Sequence, residues 1–217
     1  MKLKDYKGTI ILTSIIILLP ILVGLYLWPQ LPDQIATHFG ADNQPNGYSS
    51  KEFTVVGLPL FMLFVHILCL AGTKADPKSE NIHSKMIHLV LWICPIISVV
   101  MGAVTYSYAL GYNVDVSSIA MALVGLMFVI VGNYLPKSKQ SYTMGIKLPW
   151  TLADESNWYH THRMAGFLWM LCGIITLVCM FLKIYWIILV LILIAVFVPT
   201  IYSYVYYCTH KDTKKED

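Results

Sequence analysis

Six apolar runs, none of which contains a carboxylate, leave this chain few ways to fold. They cover about residues 9–28, 54–72, 86–110, 116–131, 163–182 and 184–207. A helix of about 20 residues reaches about 30 Å, the thickness of a bilayer's hydrocarbon core, and these runs cluster around that length. With 57% hydrophobic and only 12% charged residues, the chain is too apolar for a soluble domain of 217 residues, whose charged share is about a quarter. The sequence predicts an all-α integral membrane protein with six transmembrane helices. The first run follows a basic start, MKLKDYKG, but is too long for a signal-peptide core and lacks a small-residue cleavage site, so it reads as span 1.

The distribution of positive charge predicts the orientation. If both termini are cytoplasmic, 13 of the 15 basic residues fall on that side, and only Lys51 and Lys183 lie outside. Basic residues close to spans are biased toward the cytoplasm. The resulting division is 1–28, the basic N-terminus and span 1; 29–53, an extracellular loop able to form a small hairpin; 54–131, spans 2 to 4; 132–166, a cytoplasmic loop and the start of span 5; 167–208, spans 5 and 6; and 209–217, a cytoplasmic tail. The expected location is a membrane, as a multi-pass protein among lipid.

Small residues predict where helices approach closely. Ser98 and Gly102 are four apart on span 3, Gly125 and Gly132 seven apart on span 4, and Gly166 and Gly173 seven apart on span 5. This spacing predicts a tight bundle of spans 3 to 5. Span 6 has no glycine and is expected to face lipid, with Tyr202, Tyr204, Tyr206 and Tyr207 as an interfacial belt. In the loop before span 5, Thr151 and Asp154 have capping-box spacing, which predicts a helix from about Leu152. Trp158, His162, Gly166 and Trp169 would then share one face.

Several chemistries are excluded. All twelve carboxylates lie in loops, tails or span ends, whereas proton-driven carriers use a buried acid. No Walker loop, G-x-S-x-G or H-E-x-x-H motif is present, so no enzyme is expected. The five cysteines form no C-x-x-C pair, and His160 and His162, two apart on a helix, point in different directions, so neither a metal nor another cofactor is expected. A net charge of +3 supplies no surface for direct nucleic-acid binding. The alternative class is a transporter or membrane enzyme with a polar cavity among His66, His88, Asn133 and Tyr134.

Four clusters occur in order: Gly132-Asn133-Tyr134-Leu-Pro-Lys; Met-Gly-Ile-Lys147-Leu-Pro149-Trp150-Thr151-Leu; Asn-Trp158-Tyr-His-Thr161-His162-Arg163; and Gly166. Together they resemble the signature of the SdpI family, membrane immunity proteins of bacteria that secrete a killing-factor peptide. The earlier segment Leu-Pro-x-x-Ile-x-x-His38-Phe39, with Asn46-Gly47-Tyr48 and Lys51 following, resembles the short domain that often precedes that signature. The resemblance implies a place in the bacterial inner membrane and resistance to a secreted peptide toxin, met by His38, Phe39, Asn46, Gly47, Tyr48 and Lys51 outside the cell. It also implies that a cytoplasmic transcriptional repressor is sequestered by the signature residues quoted above. A general envelope-stress role is a rival within the family. The chain carries Lys147 where the family pattern has arginine, and lysine cannot make the bidentate contact of a guanidinium.

Overall fold

The computed structural model describes residues 3–40 and 42–210 and divides into two compact units. Lys2, Lys211, Lys214 and Lys215, which enter the count of basic residues, and the tail from 211 onward lie outside the described residues. Six helices are long and apolar enough to cross a membrane.

The first unit comprises residues 1–74 and 84–119. It contains α1 (Lys7–Tyr26), a hairpin of β1 (Gln34–Phe39) and β2 (Pro45–Ser50), α2 (Leu58–Ala75), α3 (Ser84–Ala109) and the first turn of α4 (Val116–Tyr134). The small residues of α3 meet α1: Ser98 Oγ donates to the Ile17 carbonyl at 2.8 Å, Tyr106 Oη donates to the Pro20 carbonyl at 3.0 Å, and a Cβ on Gly102 would lie 2.9 Å from Pro20 Cβ. Thus the Ser98/Gly102 pair serves spans 1 and 3, not the bundle of spans 3 to 5 expected from the sequence. Spacing identifies a face that accepts a close neighbour without saying which helix that neighbour is.

The hairpin is antiparallel and irregular between Ala36 and Phe39, and its turn carries Asn43 at φ 60°. Ile35 and Ala36 are buried, Ile35 beside Leu31, Val55 and Tyr106, and Thr37 and Ser49 hydroxyls lie 3.0 Å apart. Asn43 ties the turn to the start of α4: its amide donates to the Val114 carbonyl, and its side-chain oxygen accepts from Ser117 N–H, both at 3.2 Å. Ahead of α2, residues Phe53–Gly57 form a π-helical turn in which Leu58 N–H bonds to the Phe53 carbonyl. Pro59 explains it, because its nitrogen has no hydrogen to give the Val55 carbonyl.

The second unit comprises residues 75–83 and 120–217. It contains the rest of α4, a short α5 (Pro149–Ala153), α6 (Glu155–Phe181) and α7 (Ile187–His210). Here the glycine repeats do meet. A Cβ on Gly173 would lie 2.6 Å from the Gly125 carbonyl oxygen, and one on Gly166 would lie 2.7 Å from that of Gly132. α7 packs a stripe of Leu191, Ala195, Pro199 and Ser203 against α6, with Trp169 Nε1 donating to the Ala195 carbonyl at 2.9 Å. The lipid-facing expectation therefore holds for the rest of that helix, where Leu189, Val196 and Phe197 are exposed. Lys183, at φ 56°, makes the turn between α6 and α7, so the two are separate helices.

The helix expected from Leu152 begins later. Thr151 lies inside α5, and its hydroxyl accepts from Leu148 N–H at 2.9 Å. Asp154 has extended φ and ψ of −134° and 115°, which ends α5, and its carboxylate caps α6 by accepting from Ser156 N–H at 3.1 Å. Both residues of the capping-box pattern thus cap, but each caps a different helix.

Candidate functional site: a loop folded around Asp76

Between α4 and α5, residues 138–148 contain no regular element. A loop of this kind must satisfy its backbone polar groups with side chains. Asp76, at the end of α2 and 4% exposed, is the main acceptor. Its Oδ2 accepts from Ser141 Oγ (2.6 Å), Thr143 Oγ1 (2.7 Å), Tyr142 N–H (2.9 Å) and Thr143 N–H (3.0 Å), while Oδ1 accepts from Lys78 N–H (2.8 Å). Burial alone would raise the carboxyl's pKa. The bonds from Ser141 and Thr143 and from the Lys78 and Thr143 backbone outweigh it and hold the pKa below its ordinary value.

Gln140 is the second organiser. Its amide nitrogen donates to the carbonyls of Thr151 (2.9 Å) and Leu152 (3.0 Å), its side-chain oxygen accepts from Lys78 Nζ, and its carbonyl accepts from Asn81 at 2.9 Å. The 75–83 segment and the loop thereby close on each other.

His162 is the third. It is 1% exposed, its Nε2 accepts from Ile146 N–H at 2.8 Å, and its Nδ1–H donates to the Trp158 carbonyl at 2.7 Å. The ring is therefore the neutral Nδ1–H form, since a nitrogen that faces an N–H carries no hydrogen of its own. It stacks on Trp158 with centroids 3.9 Å apart, and Trp158 Nε1 donates to the Ser138 carbonyl at 2.8 Å. Gly145, at φ 112°, passes against both rings where a Cβ has no room.

α7 closes the other side. Asn157 donates to the Ser203 carbonyl and Trp150 Nε1 to the Ser203 hydroxyl, both at 2.9 Å, while Thr161 donates to Asn157 Oδ1 at 2.9 Å.

Of the inner-face candidates, Gly132, Thr151, Trp158, Thr161, His162 and Gly166 are buried and hold the loop's shape. Trp158 is 3% exposed and its indole N–H is bonded inside the unit. Asn133, Lys147, Pro149 and Arg163 are exposed, and Tyr134 and Trp150 are half-buried. Lys147 Nζ bonds the Thr143 carbonyl at 3.2 Å, and Arg163 Nη1 bonds Tyr159 Oη at 3.1 Å. Beside this face Ser138, Lys139, Gln140, Glu155 and Trp158 line a cleft of about 380 Å³.

On the hairpin, His38, Asn46 and Tyr48 are exposed, and the His38 ring bonds the Asn46 side chain. A Cβ on Gly47 would lie 2.9 Å from that of His38. Phe39 packs edge-on against Tyr108 at 4.8 Å, and Lys51 pairs with Asp33 at 3.2 Å and lies over the Trp28 ring.

Of the side chains of the alternative cavity, His66 and His88 belong to the first unit and Asn133 and Tyr134 to the second. His66 is buried against Thr13 at 3.2 Å, while His88 and Asn133 are exposed. Among the described residues no group of three or more His, Cys, Asp or Glu side chains can hold a metal ion.

Asp76, Gln140, Ser141, Thr143 and Asn157 went unnoticed in the sequence as site residues. The available signal was weak: an Asp-Pro pair directly after an apolar span, which marks a turn whose carboxylate accepts from the backbone two residues on.

Six apolar helices and a polar loop folded around a buried aspartate define a multi-pass membrane protein. Residues 137–203 match the SdpI/YfhL protein family, and residues 15–63 match a domain of unknown function, DUF1648. The chain is 29% identical over 204 residues to the protein named Immunity protein SdpI of Bacillus subtilis (strain 168), covering 91% of this chain and 95% of that one. No solved structure matches the chain. The chain is thus similar to the SdpI family in its C-terminal part and to one immunity protein along nearly its whole length.

Proposed function

We propose that the protein protects the cell that makes it from a secreted antimicrobial peptide. The observation that carries this reading is similarity along nearly the whole length of both chains to a protein named for immunity. The surplus of basic residues around the 75–83 and 132–166 segments supports the expected orientation, with both termini and the loop around Asp76 in the cytoplasm and the hairpin outside. The toxin then meets His38, Asn46 and Tyr48, whose side chains are exposed. Phe39, Gly47 and Lys51 shape that edge from beneath.

On the cytoplasmic side, Lys147, Pro149 and Arg163 form an exposed face beside the cleft at Lys139 and Glu155, which suits a protein partner. In this reading the partner is a transcriptional repressor, held at the membrane when toxin is bound outside. The buried signature residues serve that face indirectly by fixing the backbone between them.

The test is expression of the full chain in a host sensitive to the killing-factor peptide. Immunity gives higher survival under the peptide and co-purification of peptide with protein. Unchanged survival at normal membrane abundance would remove the proposal.

A further inference from the structure

The first unit contains a cavity of about 270 Å³ among α1, the start of α2, α3 and the hairpin. That is nearly twice the roughly 150 Å³ at which an engineered apolar cavity holds benzene. Its lining carries no charged residue, and more than half of the lining residues come from the 15–63 segment that matches the domain of unknown function. The hydroxyl of Thr54, a residue 3% exposed, lines this space and has no hydrogen-bond partner. Of the other hydroxyls in the lining, Thr37 bonds Ser49, Ser98 the Ile17 carbonyl and Tyr106 the Pro20 carbonyl, and Thr105 lies on the α3 side. A water needs two to four polar partners to settle in such a place, and most of this lining is apolar.

We infer that this cavity holds one acyl chain of a membrane glycerolipid, with the Thr54 hydroxyl donating to the ester carbonyl. Three observations select that occupant. The cavity opens beside Phe61, which is 58% exposed on a helix apolar enough to span a membrane, so the medium at its mouth is hydrocarbon. Thr54 is the second residue of that apolar stretch (Phe53–Ala75), next to the hairpin, and so lies at the depth where glycerol esters meet the acyl region. From Thr54 to Met62, also in the lining, the helix descends about 12 Å, along which an acyl chain can lie. A buried hydroxyl without a partner is destabilising, and an ester carbonyl removes that cost where a bare alkane does not.

The experiment uses the full-length protein in phosphatidylcholine vesicles doped with a phosphatidylcholine that carries a diazirine in its acyl chain. After irradiation, adducts are mapped by mass spectrometry. The cavity predicts adducts on the segments around Thr54–Met62 and Ser98–Tyr106, above the level on the exposed face of α7, which reports bulk lipid. Thr54→Val lowers these adducts by about two- to tenfold, the value of one hydrogen bond, while Thr54→Ser keeps them. Leu58→Trp, which fills the cavity, removes them and leaves the α7 adducts as they were. A diazirine fatty acid labels less, because its carboxylate finds no cation in the lining. Equal labelling of the cavity segments and α7, or cavity adducts indifferent to Leu58→Trp, overturns the inference. So does cavity labelling that occurs only with a hydrophobic peptide probe.

Discussion

Nε2 of His162, on α6, accepts a hydrogen bond from the backbone N–H of Ile146 at 2.8 Å, across sixteen residues of sequence. Replacing the ring with phenylalanine keeps the stacking area on Trp158 and strands that N–H. His162→Phe should cost about 1–3 kcal/mol and release the 138–148 loop, read as a lower unfolding temperature in detergent and faster amide exchange at Ile146. Unchanged exchange at Ile146 would show that the bond does not hold the loop.

Asp76 makes the stability acid-sensitive. Its folded pKa is held below the ordinary 3.8, so its contribution is complete above that value and is lost as pH falls below it through the lowered folded value. Loop protection measured between pH 7 and pH 3 should stay level and then fall at the acid end. Asp76→Ala should cost more than about 3 kcal/mol, because it orphans several buried donors together. In that variant the fall at the acid end should be lost.

Gly166 sets how closely α4 and α6 approach, since a Cβ there would lie 2.5 Å from Pro136 and 2.7 Å from the Gly132 carbonyl oxygen. Gly166→Ala should destabilise by about 1–3 kcal/mol. Gly8 in α1 is the control: nothing lies within 4 Å of a Cβ built there, so Gly8→Ala should be neutral or stabilising by up to about 1 kcal/mol. Thermal unfolding of the two variants side by side measures the difference.

Orientation and partner can be tested at exposed positions. In a cysteine-free background, Tyr48→Cys should react with an impermeant maleimide on intact cells, and Lys147→Cys should react only after lysis. Arg163→Ala should weaken capture of the proposed repressor at the membrane with little change in stability, because Arg163 is exposed and bonds the neighbouring Tyr159. Labelling of Lys147→Cys on intact cells would invert the proposed topology.

The spans were legible because hydropathy over about 20 residues is a local property, and the Gly125/Gly132 and Gly166/Gly173 repeats were legible because two helices share one spacing. The helix partner of Ser98 and Gly102 was not, since spacing on α3 carries no information about α1. Asp76 looked like one more charge in a polar loop, and only the fold brings Ser141 and Thr143, more than sixty residues later, around it. Trp158 and His162 were recognised as a shared face, but a hydrophobic aromatic near a span end reads equally as belt or core. The Ser138 carbonyl that receives the indole N–H lies twenty residues away and leaves no pattern in the sequence.

The π turn at Phe53–Gly57 fits one more residue into the helix than regular winding would. Deleting a single residue there would leave hydropathy and composition almost untouched, yet it would swing everything on the N-terminal side by about 100° around the axis of α2. The edge bearing His38 and Tyr48 would then be aimed elsewhere while every span remained intact. In this module, chain length at one place works as an angular setting, and homologues with a gap at that position would present a different edge.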